Sequence, residues 1–253
     1  MNKFIALTYH SIGDNSGNEY NIRINTFKDQ MNWLRLQGYK VEGFREFNKR
    51  TTLNEWPDRY VLLTFDDGYK SFLQAANILN DLSFNATFFL TKDWCNNKSN
   101  FLVDEEIKEL SLTNEIGSHT ISHPYLTKIP SQNIKYELSE SKKWIQDLIQ
   151  KDVISLSAPN GYINDNIINI AINSGYKFIG NSIEWWNNNE NIYSSNLINR
   201  IAIRKSYSTD TFKKIINRDI FYFLVRKART HFLSIPKSIL NEKQYNKIHK
   251  LLK

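Results

Sequence analysis

Short apolar runs, rich in β-branched and aromatic residues, recur along the chain at residues 4–9, 60–65, 86–91, 153–156, 178–180 and 201–203. Runs of this length with polar or turn-forming flanks predict buried strands. Between them the apolar spacing becomes helical. Residues 26–37 put Phe27, Met31 and Leu34 on one face, with Thr26 as the cap and Gly38 as the stop. Similar patterns cover 71–82, 131–149 and 165–174, the last ended by Gly175. Strands alternating with helices predict a parallel sheet. Without a Gly-x-Gly-x-x-Gly phosphate loop, a barrel is favoured over a dinucleotide-binding fold.

Two stretches break this rhythm. The polar run 187–191 reads as a loop, and no repeat period or low-complexity tract accompanies it. After Ile216 the apolar run 220–225 leads straight into Arg226-Lys227-Ala228-Arg229. This predicts a helical extension outside the barrel, so the expected division is a catalytic domain over 1–216 and a basic helical extension over 217–253.

The chain has 253 residues, 41% of them hydrophobic and 13% aromatic, enough for one well-buried core. Cys95 is the only cysteine, so no intrachain disulfide forms. The apolar run 4–9 is shorter than a signal-peptide core, and no stretch reaches the ~18 apolar residues of a membrane span. The expectation is a cytoplasmic protein, peripheral to a membrane if its tail binds one. The net charge of +7 is uneven: residues 212–253 hold 11 Lys or Arg against Asp219 and Glu242, leaving residues 1–211 at −2. A basic appendage on a near-neutral body points to an anionic membrane surface or charged glycan, or to a solvated helical face. Nucleic acid is not an expected partner.

α/β barrels place chemistry just past the C-terminal ends of their strands. Three such positions are loaded here. In the segment 63–69, a buried strand runs into Asp66 and Asp67, an arrangement that is costly unless a cation or proton offsets their repulsion. Its plainer reading is an Asp-Gly turn with one carboxylate capping the next helix. In 115–124, His119 and His123 are four apart and would project from the same side of a helical turn toward one metal. With an Asp from another strand end they make a two-His, one-carboxylate set that leaves coordination positions open. In 156–162, Pro159 and Gly161 force a tight turn that either aims a backbone N–H into a cleft or is an ordinary turn.

Taken in order, these segments resemble the NodB-homology polysaccharide deacetylase family. The resemblance rests on Thr64-Phe65-Asp66-Asp67-Gly68 and His119-Thr120-x-x-His123. It extends from about Phe4 to Ile216, including Leu7-Thr8-Tyr9-His10-Ser11, the 27–41 stretch, and Gly175-Tyr176 leading into the Arg200 strand. It implies a distorted (β/α)7 barrel that removes N-acetyl groups from an amino-sugar polysaccharide or its biosynthetic precursor. Asp67, His119 and His123 would bind one divalent metal, with zinc the default and iron, cobalt, nickel or manganese as alternatives. Asp66 would be the general base, and the backbone N–H of Asn160 would help hold the oxyanion. Tyr69 and Tyr162 beside the motifs are candidate sugar contacts. Trp185 or Trp186 falls where the family often has an aromatic wall near the acetyl group.

Two departures from the family pattern carry expectations. Many members have Arg where this chain has Ser157, which implies that the Arg bond orienting the catalytic Asp is missing. The late Leu-x-His motif is also absent after Ile203, the later histidines being His231 and His249 in the tail. His10 ends the first strand, which adjoins the last strand in a closed barrel, and is therefore the candidate general acid. Its plainer reading is a strand-end residue that orders the 13–17 loop. Two functional alternatives stand beside the deacetylase: an impaired member that binds glycan or an assembly partner, and a hydrolase of a non-sugar amide. Retention of both aspartates and both histidines favours the enzyme.

Overall fold

A computed structural model describes residues 3–13, 17–189, 192 and 195–234, side chains from 229 onward excepted. The chain divides into two compact units, Met1–Thr209 and Asp210–Lys253.

The first unit is built on ten strands: β1 Lys3–Tyr9, β2 Lys40–Glu42, β3 Tyr60–Phe65, β4 Thr87–Leu90, β5 Glu115–Ser118, β6 Ser155–Ser157, β7 Phe178–Asn181, β8 Asn187–Asn188, β9 Leu197–Asn199 and β10 Ile201–Ala202. Their main path runs β10-β1-β3-β4-β5-β6-β7-β9, with every neighbouring pair parallel. β9 and β10 are one stretch of chain interrupted only at Arg200. Its first half pairs with β7 and its second with β1, so this stretch closes the sheet as the seventh stave of a (β/α)7 barrel. β2 lies beside the first half of β3. β8, expected as loop, pairs antiparallel with the start of β1 through Lys3↔Asn188 and Phe4↔Asn187.

Among the described residues, these α-helices follow strands of the first unit: α1 Ile24–Leu36, α2 Phe44–Leu53, α3 Phe72–Asp81, α4 Asp104–Thr113, α5 Ser131–Ile149 and α6 Asp165–Asn173. α1 starts two residues before Thr26, so Thr26 is inside the helix, and its N-terminus has no side-chain cap. Gly38 and Gly175 stop α1 and α6 with φ of 71° and 84°, values that glycine reaches without steric cost. The sequence pattern did not reveal α2 or α4. α2 buries only Phe44 and Phe47, which is too sparse for periodicity to register. α4 begins after Val103, a poor capping residue whose N–H is instead accepted by the Glu106 carboxylate at 3.0 Å.

The end of the barrel away from the motif residues is plugged by rings. Phe4, Phe44, Phe47, Tyr60 and Phe178 are buried there with Trp56 against them, and neighbouring centroids lie 5.2–6.2 Å apart. At about 1.5–3 kcal/mol for each large apolar side chain removed from water, this plug anchors the strands below the site. Fixed there, they present their C-terminal ends as one rim.

The second unit contains α7 Thr209–Ile216 and α8 Ile220–Ser234. Phe212, Ile215, Ile216 and Phe223 are buried, and the Asp219 carboxylate caps α8 by accepting the Tyr222 N–H at 2.9 Å. The two compact units divide the sequence at 209/210. The rest of the expected extension, 235–253, lies outside the described residues, and among these no helix is long and apolar enough to cross a membrane.

Candidate active site

β3 continues its ladder one residue beyond its end, with the Asp66 N–H donating to the Tyr9 carbonyl at 2.9 Å. The chain then turns through Asp67 and Gly68 at φ of 90° and 92°. A non-glycine residue at that φ is strained, and such strain persists where the surroundings over-determine it. The turn keeps both carboxylates at the barrel mouth, where they are buried.

His119 follows β5, and its N–H donates to the Leu90 carbonyl at 2.8 Å. The segment from His119 to His123 is not the helical turn expected from the spacing. Thr120 and His123 have φ of 70° and 60°, and the loop is shaped from α5 by Glu137. Its carboxylate accepts the N–H groups of Ile121 (2.8 Å) and Ser122 (3.0 Å) and the Ser122 hydroxyl (2.6 Å). Those bonds replace the helix ladder, and both imidazoles still converge.

Asp67, His119 and His123 each offer one ligand atom within 4.8 Å of the others, the only such trio of His, Cys, Asp and Glu among the described residues. Asp67 Oδ1 lies 3.4 Å from His119 Nε2 and 3.6 Å from His123 Nε2. Ligands about 2.0–2.1 Å from a tetrahedral metal sit about 3.3 Å apart, so the set fits one ion. Hydrogen bonding gives a second test. His119 Nδ1 faces the Ser157 carbonyl at 2.8 Å and must donate to it. In the neutral ring, Nε2 then points a lone pair at the Asp67 carboxylate, an arrangement that calls for a cation between them. Burial alone would lower the His119 pKa, but the charges of Asp66 and Asp67 outweigh it and raise it. His123 goes the other way, lowered by burial and by His119, and its ring stacks on Trp94 at 4.8 Å.

Asp66 has a different partner. Arg200, at the break in the last stave, donates to both of its oxygens, Nη1 to Oδ1 at 2.8 Å and Nη2 to Oδ2 at 2.9 Å. Nη2 also donates to Ser157 Oγ at 2.7 Å, and that hydroxyl donates to Asp66 Oδ2 at 3.0 Å. The guanidinium is 1% exposed and passes over Gly180, where an added Cβ would lie 2.4 Å from Nε. The Arg–Asp bond expected to be missing is therefore present. Its arginine comes from the last stave, and the small Ser157 leaves room for it. Burial alone would raise the Asp66 pKa, but Arg200, His119 and His10 hold it well below the usual carboxylate range. Asp67 is likewise lowered, since hydrogen bonding to His119 and the charge of His10 outweigh burial.

These groups open into a cavity of about 390 Å³, also lined by His10, Asn160 and Tyr162. His10 Nδ1 is buried with no hydrogen-bond partner among the described residues, and its ring lies 4.9 Å from that of Tyr20. The neighbouring loop is tied instead by Gly13, Ser11, Asn21 and Ile22. Asn160 sits in the expected turn at φ 59°. Tyr69 does not itself line the cavity: it stacks on Phe101 at 4.7 Å, and burial, with the charge of Asp67 and a hydrogen bond to its carboxylate, pushes the hydroxyl up to about 12. Trp185 and Trp186 do not line the cavity either. They precede β8, which pairs with the first residues of β1, and Lys3 Nζ lies 5.7 Å from the Trp186 centroid. The chain leaves the cavity at Glu184, so Trp185 directly follows a lining residue, while Trp186 lies toward the end of β1 that carries Lys3.

Comparison with known proteins agrees with this arrangement. A family model described as polysaccharide deacetylase matches residues 54–179, which include all three motif segments. YxkH of Bacillus subtilis (strain 168), named for the same family, is 31% identical over 178 residues, 69% of this chain and 63% of its own. A poly-beta-1,6-N-acetyl-D-glucosamine N-deacetylase of Staphylococcus aureus (strain MRSA252) is 24% identical over 214 residues, 79% of this chain and 72% of its own. The chain spans about half to two thirds of the length of several curated relatives. Among solved structures, the Streptococcus pyogenes deacetylase PplD in complex with acetate has the same fold, with a TM-score of 0.77 and 24% identity over 85% of this chain and 98% of that one. On its motifs, its barrel and these matches, the chain belongs to the polysaccharide deacetylase family.

Proposed function

We propose that this protein removes acetyl groups from N-acetylated amino sugars of a glycan, using one divalent metal. The observation that carries the reading is the pairing of two differently equipped carboxylates: Asp67 faces two imidazoles, and beside it Asp66 is gripped by Arg200. A ligand-binding cleft needs no such division, whereas metal-assisted hydrolysis of an amide uses a Lewis acid and a base side by side.

Asp67, His119 and His123 would hold the ion, which supplies Lewis acidity to the acyl oxygen and to the attacking water. Zinc suits the set, and iron, cobalt, nickel and manganese are the alternatives. Asp66 takes the proton of that water as its oxygen adds to the acetyl carbon. Arg200 and Ser157 fix the orientation of the Asp66 carboxylate and keep it ionised. The tight turn at Asn160 offers a backbone N–H to the negative charge that develops on the acyl oxygen. The C–N bond then breaks, acetate departs, and His10 gives a proton to the leaving amine. The substrate class follows the relatives named for poly-beta-1,6-N-acetyl-D-glucosamine and for peptidoglycan N-acetylglucosamine.

Metal analysis together with acetate release from N-acetylglucosamine oligomers tests the proposal. One metal per chain and steady acetate release are expected. Asp66→Asn should keep the metal and lose roughly 10²- to 10⁴-fold in turnover, whereas His119→Ala should lose both metal and activity. If Asp66→Asn loses the metal instead, the two aspartates are assigned the wrong way round. A protein that takes up no metal and releases no acetate is not this enzyme.

A further inference from the structure

The rim of the cavity is divided by chemistry. Past β7, β10 and β1 it is polar, with Ser182, Glu184, Arg204 and Asn18 joined by Tyr20. Arg204 pairs with Glu184 at 3.2 Å, and its guanidinium lies 5.8 Å from the Tyr20 centroid. Past β5 and β6 the rim is aromatic. Tyr125 and Tyr162 line the cavity with ring centroids 6.0 Å apart and planes inclined at 33°. The two rings are 43% and 59% exposed.

Their place in the chain couples them to the reaction centre without putting them in it. Tyr125 stands two residues beyond His123, and Tyr162 two residues beyond Asn160. Each is carried by a segment whose other end faces the scissile bond in the proposed reaction. Two touching rings left open to water at the mouth of a polar cleft are an apolar patch that calls for an occupant. A pyranose ring matches it, having a C–H face for the phenols and a hydroxyl edge for the Glu184–Arg204 side.

We propose that Tyr125 and Tyr162 form a flanking subsite that stacks on the sugar residue next to the one losing its acetyl group. The substrate is then an N-acetylhexosamine oligomer or polymer, and a lone amino sugar or its nucleotide-activated form leaves this subsite empty. The inference rests on the deacetylase reading for what occupies the centre of the cleft.

The test is calorimetric binding to zinc-loaded Asp66→Asn protein of N-acetylglucosamine and its β-1,4- and β-1,6-linked tetramers, paired with KM measurements on the wild-type enzyme. One tetramer should bind at least about tenfold more tightly than the monosaccharide. Tyr125→Ala/Tyr162→Ala should collapse that ratio by about tenfold, and Tyr125→Phe/Tyr162→Phe should largely restore it, because stacking uses the ring. The inference is overturned if neither tetramer outbinds the monosaccharide, or if the alanine pair leaves the ratio unchanged. The deacetylase reading fails separately: wild-type protein that releases no acetate while its tetramer binding still depends on the two tyrosines keeps the subsite and loses the reaction.

Discussion

Arg200 and Asp66 are 134 residues apart in sequence and joined by two hydrogen bonds, so each leaves the other in trouble when removed. Arg200→Met strands a buried carboxylate and should cost about 3–5 kcal/mol of stability, measurable by denaturant unfolding. Arg200→Lys keeps the charge without the planar fork, so turnover should fall while metal content and KM stay close to wild type. The sequence holds a trace of this role, since a charge inside the apolar stretch 197–203 must have a partner. Nothing local says where that partner is, and the family pattern pointed to position 157 instead. The place of His10 just past β1, at the cavity, was legible from the strand pattern. His10→Ala should keep metal and fold and lose about 10² or more in rate on amides, with a much smaller loss on an activated ester whose leaving group needs no proton. Glu115 was not singled out in the sequence at all. Burial pushes its carboxyl up to about 7 although Thr87 and Ser155 donate to it and Arg45 lies nearby. The fold therefore prefers the protonated acid. This contribution is full below the unfolded pKa near 4.5 and is lost as pH rises toward 7, amounting to roughly 3 kcal/mol. Glu115→Gln should flatten that decline and raise the melting temperature at pH 8, and an unchanged pH profile would show that Glu115 is ionised throughout.

Among elements, α5 matters beyond its packing, because Glu137 supplies the hydrogen bonds that the His119–His123 loop cannot make for itself. Glu137→Leu should preserve helix content by circular dichroism but weaken zinc binding about 10- to 100-fold in a chelator competition, the usual worth of a group that orients ligands. Unchanged affinity would mean that β5 alone holds the histidines. Periodicity found α5 to the residue and found β3, because both are long or uniformly apolar. It misjudged the histidine loop because i, i+4 spacing is only a helical signal when the backbone is helical, and here two left-handed residues intervene. The resemblance, not periodicity, put Trp185 or Trp186 at the acetyl group; β8, a two-residue strand of asparagines that directly follows them, turns the chain toward the start of β1 instead.

For the whole molecule, charge separation gives the sharpest expectation. Residues 212–253 carry 11 basic side chains against two acidic ones, and Phe221, Leu224 and Val225 of α8 are exposed. Such a segment should cosediment with phosphatidylglycerol vesicles at low salt and release from them near 0.5 M, where the screening length falls to a few ångströms. Binding that persists at high salt, or none at low salt, would refute this. The barrel itself was legible because alternation of strand and helix survives local errors, and so was the pairing of the 201–203 strand with the first; β9, which joins the same stave to β7, is too short to announce its neighbour. That closure has a kinetic corollary. The stave that joins the two edges of the sheet is also the one that delivers the guanidinium to Asp66, and it emerges from the ribosome more than 130 residues after it. A nascent chain can form the strands and even the ligand trio while its base still lacks a counter-charge. Competence should therefore appear abruptly, with the last turn of assembly, and a refolding assay that follows acetate release should lag one that follows zinc uptake.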